Sequence, residues 1–263
     1  MHLDLSDKVV VVTGAGRGIG RMIAERFLAE SARVVALDLD ADRLDWLGEH
    51  DPGAAVGLVA DVSDSAAVAD VIGQVLDRFG RVDVLVNNAG ILIEGLVEDL
   101  TDEAWDRSFA VNVGGTFKMC RAVIPIMKTQ RSGRILNAAS FAVIVPSVGT
   151  AAYAAAKSAV TQFSRTLAGE LGPWNVTVNA YAPGMIPTAM NGFDALDPAA
   201  QDRLLDTLTL RRWGRAEEVA DLLCFLASDA AGYITGTLVD VSGGKLATQL
   251  PQVAHQRAAA VEG

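Results

Sequence analysis

Cysteine is nearly absent: two in 263 residues, Cys120 and Cys224. They stand far apart inside apolar, helix-like stretches. That excludes a disulfide framework and fits buried free thiols in a reducing compartment. Histidine is almost as scarce. His2, His50 and His255 sit at the ends or in a loop-like stretch, none beside an acidic or cysteine cluster. Neither a metal centre nor a Ser-His-Asp arrangement is expected. No apolar run reaches the roughly 18 residues that a membrane span needs. The first seven residues, MHLDLSD, lack a basic stretch followed by an apolar one, so no secretory signal is expected. Basic charge is in deficit. Against 32 Asp and Glu stand 22 Lys and Arg, a net charge of −10, which excludes a nucleic-acid surface and disfavours an acidic protein partner. A soluble, cytoplasmic protein is the expectation.

What is present is an alternation. Apolar, β-branched runs at 8–13 (KVVVVT), 33–37, 55–60, 82–87, 134–138, 176–181 and 237–241 are separated by helix-like patterns. The helices fall at about 19–30, 66–79, 100–127 (one or two), 153–171 and 216–228. Continuous apolar strands between helices predict an α/β fold, a Rossmann-type doubly wound parallel sheet of seven strands. No linker, repeat or composition break divides it, so a single domain is expected over 1–246, with 247–263 as a C-terminal extension. The turn-rich stretch 184–212 interrupts the alternation and is expected to be the substrate loop.

The first strand runs into Thr13-Gly14-Ala15-Gly16-Arg17-Gly18-Ile19-Gly20, which opens a helix. Glycines there let the backbone approach a pyrophosphate, and the helix start offers free N–H groups to the anion. Gly14, Arg17, Gly18, Ile19 and Gly20 are therefore candidate dinucleotide-binding residues. Asp38 closes the second strand about twenty residues on, where a carboxylate accepts hydrogen bonds from ribose hydroxyls and repels a 2′-phosphate. NAD is expected over NADP, although Arg17 is placed to pair with such a phosphate. Further along, Tyr153 and Lys157 stand one helical turn apart with Ser140 upstream. An ammonium beside a phenol favours the phenolate, and a serine hydroxyl can hold a substrate oxygen. Together they suggest proton transfer at a carbonyl or alcohol.

In this order the motifs resemble the short-chain dehydrogenase/reductase family over about residues 5–245: TGAGRGIG at 13–20, Asp61-Val62, NNAG at 87–90, Asn112, Ser140, YAAAK at 153–157 and PGMIPTAM at 183–190. The resemblance implies that Tyr153 is the general acid and base, that Lys157 lowers its pKa and binds the nicotinamide ribose, and that Ser140 bonds the reacting oxygen. It implies that Asn112 positions a water linking Lys157 to solvent. Asp61 and Val62 would meet the adenine, and Asn88, Ala89 and Gly90 would line the cofactor cleft. Pro183, Gly184, Ile186 and Thr188 would hold the carboxamide and phosphates. A second reading has Asn88 and Gly90 shaping a turn and Asn112 kinking its helix. Ala139 and Ala216 depart from the family pattern, where serine and proline are common, without removing a catalytic group.

Loops at the strand ends nominate Leu92, Ile93, Glu94, Phe141, Val143, Ile144, Val145, Met185, Met190, Phe193 and Asp194 as substrate-facing. The apolar set suggests an apolar or cyclic secondary alcohol and its ketone. Two alternatives stay open: a 3-oxoacyl-carrier-protein reductase using NADPH, and a catalytically silent NAD-binding regulator. A homotetramer is expected, with a dimer as the lesser assembly. In relatives the segments 101–127 and 153–171 pair across a two-fold axis, and residues 223–241 would build a second contact. Ala151, Ala152, Ala155, Ala159 and Val160 would permit close helix approach, and the tail would reach a neighbouring subunit.

Overall fold

In the chain's computed structural model, residues 3–262 are described. His2 and the side chain of Asp194 lie outside the described residues. Seven parallel strands form one sheet in the order β3-β2-β1-β4-β5-β6-β7. They are β1 (Val9–Thr13), β2 (Arg33–Asp38), β3 (Ala55–Val59), β4 (Val84–Asn87), β5 (Gly133–Ala138), β6 (Val176–Pro183) and β7 (Leu238–Val241). The helices are α1 (Gly18–Ala29), α2 (Ser65–Phe79), α3 (Asp102–Phe109), α4 (Thr116–Gln130), α5 (Ala151–Leu171), α6 (Pro198–Leu205), α7 (Ala216–Ala227) and α8 (Gln252–Glu262). No helix among the described residues is long and apolar enough to cross a membrane.

Side chains alternate across a strand, so a strand covered on both faces needs apolar residues throughout. β1 obeys this. Val10 and Val12 pack with Phe27 of α1 and Leu223 of α7 on one face. Val9 and Val11 pack with Val71 of α2, Met119 of α4 and Leu167 of α5 on the other. Both cysteines are buried free thiols, and burial pushes each up to about 12.

Three segments differ from the sequence reading. Residues 82–83 precede β4 rather than belonging to it, because Asp83 turns its carboxylate back to accept from the Val9 backbone N–H (2.9 Å). The stretch read as one or two helices is α3 and α4 joined by a π-helical turn, Ala110–Gly115. The tail expected to carry no motif folds as α8, tied back by the His255 Nε2–H bond to the Thr209 carbonyl (2.8 Å).

Strand order reverses between β1 and β4, which opens a crevice at their carboxyl ends. A buried polar chain locks α5 over it. Asn87 Nδ2 donates to Asn137 Oδ1 (2.8 Å), and Asn137 Nδ2 donates to Ser164 Oγ (2.9 Å). Ser164 sits two turns beyond Lys157, so this bond sets the register of the helix that carries Tyr153.

Candidate active site

The crevice is a cleft of about 570 Å³. At one end lies the glycine loop. A Cβ on Gly20 would stand 2.0 Å from the Gly14 carbonyl oxygen, so only glycine lets α1 start this close to the loop. Asp64, Thr101 and Asp197 cap α2, α3 and α6 with their side chains, whereas the start of α1 has no side-chain cap. Its N–H groups are left for an anion. Asp38, 8% exposed at the end of β2, accepts from Gly16 N–H (2.9 Å) and Asp40 N–H (3.2 Å), one on each oxygen. Each carboxylate oxygen keeps further acceptor capacity for a ribose hydroxyl. Arg43, which sequence reasoning missed, also lines this end, 3.1 Å from Asp40 and 3.8 Å from Asp38. Asp61 accepts from Ser63 Oγ (2.6 Å), and that bond holds its carboxyl below the ordinary range.

Thr13 Oγ1 accepts from the N–H groups of Asn88 and Ala89, both at 3.0 Å. Asn88 Nδ2 donates to the carbonyls of Thr13 (3.2 Å) and Gly14 (3.3 Å). The Asn88 side chain thus ties the end of β4 to the glycine loop. Gly90 permits a closer packing. A Cβ there would come 2.7 Å from Asn112 Oδ1 and 3.2 Å from Lys157 Nζ. Asn112, buried in the π turn, accepts from Ile91 N–H (3.2 Å) and donates to the carbonyls of Ile91 and Ser108, both at 3.0 Å. It stands behind the cleft wall. A π turn inside a long helix often marks a functional site.

Ser140, Tyr153 and Lys157 meet at the middle of the cleft. Ser140 Oγ accepts from Ala142 N–H (3.2 Å), which leaves its own proton to donate. Lys157, 3% exposed, donates to the Ala138 carbonyl (2.8 Å), and burial lowers its pKa to about 8. Its nitrogen is 5.7 Å from the centre of the Tyr153 ring. Burial raises the Tyr153 phenol above its ordinary value, and the Ser140 hydroxyl pulls the other way. The sequence expectation that the lysine brings the phenol down is therefore corrected for the protein alone: desolvation is the larger effect on the phenol.

A family model described as enoyl-(acyl carrier protein) reductase matches residues 14–245. The chain is 39% identical over 243 residues to 3-oxoacyl-[acyl-carrier-protein] reductase FabG of Thermotoga maritima, covering 91% of this chain and 98% of that one. It is 39% identical over 245 residues to 2-(R)-hydroxypropyl-CoM dehydrogenase of Xanthobacter autotrophicus, covering 90% and 97%. The solved structure of a levodione reductase superposes with a TM-score of 0.87 at 35% identity, covering 93% of this chain and 99% of that one. The chain belongs to the short-chain dehydrogenase/reductase family. It is an oxidoreductase of a family that uses NAD(P).

In this short-chain dehydrogenase/reductase every cofactor residue named from the sequence lines the cleft, from Gly14 through Thr188. Among the substrate candidates, Leu92, Glu94, Phe141, Val145, Met185, Met190 and Phe193 line it as well. Val143, Ile93 and Ile144 do not. Val143 closes a 3-10 turn, Phe141–Val143, in which successive side chains point about a third of a rotation apart. Phe141 takes the cleft side. Tyr181 and Lys245 line the cleft and were not singled out from the sequence. Tyr181 ends an apolar strand and reads as core. Lys245 follows the last strand, outside every motif.

Proposed function

We propose that this chain moves a hydride between a nicotinamide dinucleotide, NAD in preference to NADP, and a secondary alcohol or its ketone. The observation that carries the reading is the convergence of Ser140, Tyr153 and Lys157 in a cleft whose other end is the glycine loop and Asp38. The residues fit a dinucleotide: uncapped N–H groups at the start of α1, a glycine cradle that a Cβ would fill, and an acidic group at the ribose position. Bound there, the nicotinamide supplies the hydride acceptor or donor.

Ser140 donates its hydroxyl proton to the reacting oxygen. In oxidation the Tyr153 phenolate takes the alcohol proton, and in reduction the phenol returns it. Lys157, still largely protonated at neutral pH, offsets the phenolate charge and bonds the nicotinamide ribose. Asn112 acts through others: its bonds to Ile91 hold the wall beside Lys157. Asp61 and Val62 face the adenine. Pro183, Gly184, Ile186 and Thr188 close over the nicotinamide. Apolar walls at Leu92, Phe141, Met185, Met190 and Phe193 favour a carbon-rich substrate. The catalytic unit is 1–246 with its substrate loop at 184–212, and 247–263 is an extension.

A second reading, a 3-oxoacyl-carrier-protein reductase using NADPH, is favoured by the 39% identity to FabG and by Arg17 and Arg43 beside the adenosine end. A panel of secondary alcohols and ketones assayed with both cofactors separates the two. NAD should show the higher kcat/KM, and Asp38→Ala should narrow the gap by about tenfold or more. A wild-type preference for NADP sinks the first reading.

For assembly, a homotetramer remains our proposal, with one correction to its contact face. Ala152 and Val160 are fully buried against the chain's own fold. Ala151, Ala155 and Ala159, four apart along α5, stay half-exposed and form the face that can meet a second copy. Phe117 (42% exposed) broadens that face from α4, set edge-on to Phe163. Light scattering at micromolar concentration returning a monomer mass would refute it.

A further inference from the structure

At the substrate end of the cleft one charge stands out. Four other cations line the wall. Arg43 lies 3.1 Å from Asp40, and Arg107 lies 4.0 Å from Asp61. Lys157 donates to the Ala138 carbonyl, and Arg17 is exposed beside the glycine loop. Lys245 is different. It is half-buried, and among the described residues no carboxylate reaches its ammonium. Its nitrogen lies 5.2 Å from the centre of the Phe141 ring, the residue directly after Ser140. Burial lowers its pKa, and no neighbouring acid pulls it back.

A lysine on a flexible stem ordinarily carries its charge out to water. Here the backbone prevents that. After β7 the chain turns back through Gly243 and Gly244, at φ values of +65° and +72° that favour glycine. The Lys245 N–H then donates to Ser242 Oγ (3.2 Å). The flanking backbone is strapped to the end of the substrate loop: Leu210 N–H to Gly243 O (3.0 Å) and Leu246 N–H to Thr207 O (2.9 Å). The side chain is thereby laid across Phe141 into the cleft, where Leu92, Met185, Met190 and Phe193 are apolar neighbours in the wall. Glu94, the acidic lining residue outside the adenosine end, makes no ion pair with it among the described residues. An ammonium held half-dry without a counter-charge is costly unless a ligand supplies one.

We propose that Lys245 is a specificity-determining residue that pairs with a negatively charged group of the substrate, a carboxylate being the simplest, set apart from the reacting carbon. This rests on the hydride-transfer reading and deepens it: the substrate has an apolar body and an anionic end. The overall charge of −10 does not oppose the pairing, because exposed charges are screened beyond about 8 Å at physiological salt while a cleft pair in contact is not.

The test uses 4-oxopentanoate and its methyl ester, a matched acid and neutral ketone, titrated with oxidised NAD present so that no turnover occurs. Wild type should bind the acid at least about tenfold more tightly than the ester, the scale of one charge-assisted pair. Lys245→Met should bring the two within about twofold, and Lys245→Glu should reverse the order. NAD affinity should be unchanged in both variants, which also shows that they fold. The proposal is overturned if wild type binds the acid no more tightly than the ester, including no measurable binding of either. It is equally overturned if Lys245→Met keeps the preference. Turnover of neutral ketones is scored separately. Its absence in wild type counts against the hydride-transfer reading, whereas turnover without a carboxylate preference counts against Lys245 alone.

Discussion

The two ends of the cleft are built on opposite plans. At the cofactor end almost every polar group is already committed to backbone: Thr13 to Asn88 and Ala89, Asn88 to Thr13 and Gly14, Asp38 to Gly16 and Asp40. The side chains fix the main chain, and the main chain meets the ligand. At the substrate end the wall is side chain, much of it exposed. Val148 is 92% exposed and Met190 48%, and the loop is stapled chiefly by Asn191, which bonds Ile186 and Thr188. The difference teaches where tolerance lies. A change at the first end disturbs geometry shared by several hydrogen bonds. A change at the second alters one contact.

Tyr153→Phe should give the largest effect, because it sits where the ends meet and removes the transferable proton. Turnover should fall by about 10² to 10⁴-fold while NAD titration is unchanged. Near-normal turnover would break the mechanism. The same group sets the pH response. Oxidation needs the phenolate and should accelerate as pH rises; reduction needs the phenol and should slow. With Lys157 held to about 8, the supporting charge is present below that pH and lost above it, so the rise should flatten past 8. Lys157→Met should remove the flattening and move the rise to higher pH.

Gly20→Ala comes next. Its methyl group meets the Gly14 carbonyl, so the loop must shift. We expect NAD affinity to fall by more than about tenfold, an effect on the order of 1.4 kcal/mol or more, the free energy of one decade of binding. An unaltered affinity would show that the cofactor end is less fixed than its bonds imply. Phe193→Ala should do least. Phe193 stacks on Trp213 (5.6 Å between ring centres) at the rim of the loop, so KM should change a few-fold while NAD binding stays put. A loss of NAD binding here would erase the contrast.

The same contrast decides what could be read from the chain beforehand. β1, the glycine loop and Asp38 were legible because backbone geometry leaves a residue-level trace: burial on both faces demands VVVVT, and a close approach demands glycine. The Tyr153–Lys157 pair was legible from helical spacing. Lys245 and Arg43 were not, since one follows a strand in a turn and the other sits on a 3-10 segment, Ala41–Glu49, whose three-residue period is not that of an α-helix or a strand. Val143 was misjudged for the same reason. Ala152 and Val160 were assigned to a subunit contact because small apolar residues look alike whether they meet a partner helix or their own sheet. The phenol was expected to be lowered because sequence shows a neighbouring charge but not the burial that outweighs it.

The two deep thiols have a practical consequence. With Cys120 and Cys224 buried and pushed up to about 12, neither offers thiolate to a reagent at neutral pH. The chain is thus already a blank background for maleimide chemistry. Val148 is 92% exposed in the loop after Ser140 and lines the cleft, so Val148→Cys would place a single fluorophore at the mouth of the cleft. Its emission would report arrival of a ligand at the substrate end without any change to the protein's own cysteines.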